Sequence, residues 1–194
     1  MTDRYPSLFE FHERMEARGT EPDLRSALRQ RSETSVGEVS RLGEAGTVVA
    51  FVELLLPAAR VPSSVLAAFL DGSFDRQMGR GDEREGALPR SELLPMGFRV
   101  LDSAAGGPFG ELPQEEQRAL MRKAEKGELA GPPGFDSALW FKRARDLVLL
   151  GFGSDPRGMV QMGFPGPSYE TGYLWLGYGG PDGRNRRRPG HERY

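Results

Sequence analysis

FDSALWFKRARDLVLLGFGSDP, residues 135–156, is the stretch on which the fold turns. Its closing glycines, continued by Arg157 and Gly158, look like a phosphate cradle. A dinucleotide-binding fold needs a strand before such glycines and a helix whose N-terminus receives phosphate after them. Here Trp140, Ala144, Leu147 and Val148 recur at helical spacing on one face. Lys142, Arg145 and Asp146 point away from that face, and Arg143 falls near its border. The pattern predicts a helix from 135 to about 150, capped by Gly151, with Ser154 and Asp155 in a turn fixed by Pro156. The residues after that turn make a poor helix start, and no Gly-Lys-Ser or Gly-Lys-Thr occurs in the chain. The segment therefore reads as helix and corner, and a nucleotide-binding α/β architecture is disfavoured.

Working back along the chain, other helices follow from the same logic. Residues 44–56 hold Val48, Val49, Phe51 and Val52, which a strand would accept, but their length and the terminal Pro57 favour a core helix. The stretch 62–77 offers Ser63 or Ser64 as N-cap and a stripe of Val65, Leu66, Phe69 and Leu70, with Phe74 at its edge and a weak point at Asp71-Gly72. Leu93, Leu94, Phe98 and Leu101 mark another helix, with Pro95 early in it and Gly106-Gly107 ending it. LPQEEQRALMRKAEKG, residues 112–127, is the clearest: Pro113 suits the first position, and Gly127 the C-cap. Glu115 and Glu116 sit at the positive end, Arg122, Lys123 and Lys126 at the negative end.

The expected class is mostly α: a compact helical body with a long irregular C-terminal segment rich in Gly, Pro and aromatics. The boundaries drawn are an N-terminal helical and linker segment over 1–40, a helical core over 41–152, and an extended tail over 153–194. Leu8, Phe9, Phe11 and Met15 suggest short helices within 5–31. In the tail, the aromatics Phe164, Tyr169, Tyr173, Trp175 and Tyr178 argue for ordered wrapping, because disordered tracts are poor in aromatics. They suit a protein interface or packing on the chain's own helices about equally, and a sugar platform less well.

Composition narrows the chemistry. With a formal net charge of −2, no overall field favours nucleic acid or an anionic membrane. The absence of cysteine excludes disulfides, thiolate metal sites and a cysteine nucleophile. Only His12 and His191 could serve a histidine relay or a histidine metal site, and both suit a solvated surface. Carboxylates such as Asp102, Glu111, Asp155 and Glu170 show no spacing that singles out a glycosidase pair. No apolar run approaches the roughly 18 residues of a membrane span, and residues 1–19 lack the apolar core of a secretory signal. The expectation is a cytoplasmic protein without membrane insertion. The basic run Arg184 to Arg188 suits a solubilising tail or a strip for an acidic partner better than a nucleic-acid contact.

The order of motifs resembles a known family. Leu55-Leu56-Pro57 precedes MGFRVLDSAA (96–105), then come PFGELPQEEQRALM (108–121), the aromatic helix with GFGSDP, and GFPGPSYE (163–170). Over about 44–180 this is similar to the gluconate 2-dehydrogenase subunit 3 family, the small subunit of FAD-dependent sugar and polyol dehydrogenases. Gly153 stands where that pattern has a second aromatic, and RGMVQM (157–162) replaces its Tyr-Gly-Gly-Asn. The resemblance implies an accessory role. Flavin and catalytic histidine would belong to a large subunit of the glucose–methanol–choline (GMC) type, and this chain would hold no cofactor, metal or catalytic residue. The expected partner-binding residues are Phe152, Asp155, Pro156, Phe164, Pro165, Tyr169, Tyr173, Trp175 and Tyr178. A self-sufficient carbohydrate-active enzyme and a chaperone that leaves the loaded flavoprotein are the alternatives.

Overall fold

A computed structural model describes residues 41–73 and 88–163, with isolated positions 12, 13, 16, 22, 26, 29 and 39 before them. Among these residues the protein is helical, with no strand. In chain order the helices are α1 (Ala45–Leu55), α2 (Ser63–Ser73), α3 (Arg90–Ala105), α4 (Gln114–Glu125), α5 (Ser137–Ser154) and α6 (Pro156–Gln161). A single 3-10 turn, Phe109–Glu111, sits between α3 and α4. The expected helices within 5–31, Phe74 and the aromatic tail lie outside the described residues, apart from the isolated positions.

α1 is helical despite its β-branched run because it lies in the core, burying Thr47, Val48, Ala50, Phe51 and Val52, and it stops before Pro57 as expected. Phe51 is the hub. Its ring centroid lies 5.4 Å from Phe98 of α3 and 5.5 and 5.9 Å from Trp140 and Phe141 of α5. Phe98 and Trp140 meet edge to face at 5.3 Å, a favoured aromatic geometry. The indole also satisfies its one donor, giving Nε1–H to the carbonyl of Leu94 at 3.2 Å. Close approach here depends on Gly97, since a Cβ at that position would fall 2.0 Å from the indole nitrogen.

Polar links fix the frame around these rings. Asp102 accepts from the Thr47 hydroxyl at 2.6 Å and from the Phe109 amide at 2.9 Å, joining α1, α3 and the 3-10 turn. Asp71 accepts from the Arg41 and Leu42 amides at 2.8 and 2.9 Å, so α2 runs through the Asp71-Gly72 position with a tertiary partner. α3 contains Pro95 and closes at Gly106, whose φ of 74° is left-handed. α4 begins after Pro113 and carries Glu115 and Glu116 in its first turn, Arg122 and Lys123 in its last.

Three local expectations are corrected. Ser63 opens α2 as a helical residue, and its hydroxyl donates to Glu53 instead of capping. Arg143 is buried, not at a border: it is 3% exposed, and its guanidinium donates to the Leu88 carbonyl at 3.0 Å. Gly151 does not cap α5. The helix continues to Ser154, so the boundary drawn at 152 falls inside it. The reason is a tertiary contact: Phe69 of α2 packs onto Gly151, where a Cβ would approach to 2.6 Å. Such packing outweighs the low helix propensity of glycine.

Candidate functional site

The end of α5 and the whole of α6 form a corner built mainly by polar side chains. Asp155 has extended backbone, φ −87° and ψ 134°, and its carboxylate accepts from the Arg157 amide at 2.8 Å, capping α6 with Pro156 at the first helical position. The segment judged a poor helix start thus begins a helix, because Asp155 and Pro156 act together as a start signal. The same carboxylate receives a two-pronged ion pair from Arg157, at 2.9 Å from Nε and 2.7 Å from Nη2. Both side chains are largely buried, 15% and 8% exposed. Hydrogen bonding to Asp155 raises the Arg157 pKa above its already high ordinary value, against the opposing pull of burial. The arginine therefore stays charged.

Gln161 ties the far end of α6 to the loop between α1 and α2. Its Oε1 accepts from the Arg60 amide at 2.6 Å and its Nε2 donates to the Ala58 carbonyl at 2.7 Å. One carboxamide thus takes the place of a strand-like backbone partner.

The outer surface of this corner is apolar. Leu149, Leu150 and Met162 are the large exposed hydrophobics among the described residues, at 46, 40 and 54% exposure. Leu149, Leu150 and Gly153 share one face of α5, being three and four residues apart. The Met162 methyl lies 3.7 Å from where a Cβ of Gly153 would sit, so it extends the same strip. Lone exposed leucines are ordinary, whereas these three lie close together at one corner of the body.

Of the residues expected to meet a partner, Phe152, Asp155 and Pro156 are buried within the corner. Phe164, Pro165, Tyr169, Tyr173, Trp175 and Tyr178 lie outside the described residues, as do Glu170 and His191. His12 is helical and half-buried. Asp102 and Asp155 are each taken up by structural hydrogen bonds, and Glu111 is exposed at the end of the 3-10 turn. Sequence reasoning passed over Leu149, Leu150, Met162 and Gln161. The two leucines carried a readable signal, since continuing the α5 periodicity places them off the core face. Gln161 carried none.

Two of the glycines of 151–158 are accounted for by packing. Gly151 packs against Phe69, and Gly158 lies against the Phe152 carbonyl, so both glycines serve close helix packing. Among the described residues no group of three His, Cys, Asp or Glu is placed to hold a metal, and no helix is long and apolar enough to cross a membrane.

Neither the curated proteins nor the solved structures include a significant match to this chain. A family model does match: gluconate 2-dehydrogenase subunit 3, over residues 43–180. The match covers the helical body and the corner together, and with it the order of motifs that runs from α1 through GFGSDP into GFPGP, so the chain belongs to the gluconate 2-dehydrogenase subunit 3 family.

Proposed function

We propose that this chain is a non-catalytic small subunit that binds and stabilises the large, FAD-carrying GMC-type subunit of a sugar-oxidising dehydrogenase or oxidase in the cytoplasm. Its family is named as a subunit, which supports a partner. The observation that carries the reading is the apolar strip of Leu149, Leu150 and Met162, at the corner from which the chain continues into Phe164 and the later aromatics. Covering such a strip releases water from apolar surface and stabilises a complex at about 25 cal/mol per Å² buried. The FAD belongs to the partner, and this chain contributes surface, not chemistry. A partner that binds only the folded form also stabilises that form by mass action.

Co-expression with the flavoprotein encoded nearest to it tests the proposal. The expected result is a stable heteromer with flavin absorption in the complex and none in the isolated chain, burying more than about 2,000 Å². A chain that purifies alone and ignores the flavoprotein, or one that oxidises or hydrolyses sugar by itself, defeats it.

A further inference from the structure

Four methionines lie among the described residues, and they meet solvent very differently. Met121 is buried at 7% exposure, Met96 and Met159 are partly buried, and Met162 is 54% exposed. Met162 stands directly after α6, where its amide donates to the Gly158 carbonyl at 2.9 Å. Its backbone thus completes the corner, while its side chain belongs neither to the core cluster nor to the polar scaffold. The terminal methyl lies over Gly153, which has no side chain to shield it, beside the face of α5 that carries Leu149 and Leu150.

A thioether is apolar and open to two-electron oxidation, at a rate that follows access to the sulfur. With hydrogen peroxide, the sulfur lone pair takes the outer oxygen. An S–O bond forms, the O–O bond breaks, and the remaining hydroxide leaves as water with the proton of the transferred oxygen. Sulfur is oxidised by two electrons and the peroxide is reduced. The product, methionine sulfoxide, is polar. Within the core it would disturb packing; at Met162 it changes what the corner presents to the outside and leaves the helices in place. We propose that Met162 is an oxidation site through which a peroxide weakens the assembly of this chain with its large subunit. This rests on the proposed association through Leu149, Leu150 and Met162. The sulfoxide adds a strong acceptor to an apolar strip, and covering it with a surface that offers no donor costs the hydrogen bonds that water had supplied. Reductases that return the sulfoxide to the thioether make the change reversible.

Treating the isolated full chain with hydrogen peroxide, removing the excess with catalase and then adding the flavoprotein tests it. Peptide mass spectrometry is expected to show Met162 oxidised at least about fivefold faster than Met96, Met121 or Met159, with circular dichroism unchanged. The oxidised chain is expected to bind the flavoprotein about fivefold or more weakly, and methionine sulfoxide reductase to restore its affinity. Met162→Leu, compared with its own untreated form, is expected to keep its affinity through the same treatment. Several results overturn the inference and leave the subunit reading standing: equal oxidation of the four methionines, loss of helicity on oxidation, unchanged affinity once Met162 is oxidised, or an equal loss of affinity in Met162→Leu. No complex from the untreated chain overturns the subunit reading, and this inference with it.

Discussion

The aromatic core and the α5–α6 corner are adjacent in α5 and are held together by opposite means. Around Phe51, Phe98, Trp140 and Phe141 the contacts are rings and aliphatic side chains, and the indole gives its N–H to the Leu94 carbonyl. At the corner a capping carboxylate, a buried ion pair and one glutamine fix the backbone, while leucines and a methionine stand outside. The core is a closed apolar interior with polar exceptions, and the corner is a polar scaffold that displays an apolar face. The corner buries Phe152, Pro156 and Val160 but leaves Leu149, Leu150 and Met162 outside, which is the contrast the proposed interface draws on.

Substitutions should separate these two kinds of construction. The largest effect is expected in the core, where Trp140→Ala should destabilise the isolated chain by about 4 kcal/mol, measured by denaturant unfolding. An effect under about 1 kcal/mol would mean that the ring cluster is not the principal support. Next comes Asp155→Ala, which removes the α6 cap and strands a mostly buried arginine. A loss of about 2 kcal/mol is expected, below the figure for a fully buried pair because Arg157 keeps some solvent. Amide exchange should speed up in α6 well before it does in α1, and uniform acceleration would erase the distinction between the regions. Gln161→Ala should cost about 1 kcal/mol, since its two hydrogen bonds are exposed. The smallest effect on stability, within about 0.5 kcal/mol, is expected for Leu149→Ser with Leu150→Ser. That double variant should nonetheless lose the flavoprotein in co-purification. Retained binding would remove the strip from the interface.

The same contrast explains what the sequence disclosed. Helical periodicity located α2, α3 and most of α5, because burying an apolar face repeats a pattern every three or four residues, while α1 was read from its length and Pro57 and α4 from its end signals. Pro57, Gly106 and Pro113 marked ends for reasons of backbone geometry that act locally. The corner failed that kind of reading. Gly151 looked like a stop because its helical role comes from Phe69, more than eighty positions earlier in the chain. The α6 start was present in Asp155-Pro156 but was read as a turn, since two residues suit both a turn and a capped helix until the following amide is placed. Arg143 looked peripheral because the Leu88 carbonyl that receives it lies in another segment. The family, in contrast, was legible from the order of short motifs, and the matched range of 43–180 agrees with it.

The Gln161 clamp also has a consequence for the order of events. Its two hydrogen bonds join positions 101 and 103 residues apart, a separation of the same order as the Phe51–Trp140 contact that seats α1, so both wait on the C-terminal part of the body. During synthesis the loop at Ala58–Arg60 emerges early and waits for nearly all of the body to follow. Gln161 and Met162 follow the core residues in the chain, so the clamp and the outer end of the strip of Leu149, Leu150 and Met162 are completed only after the residues of the interior have been made. A partner that reads that strip reads a certificate of folding.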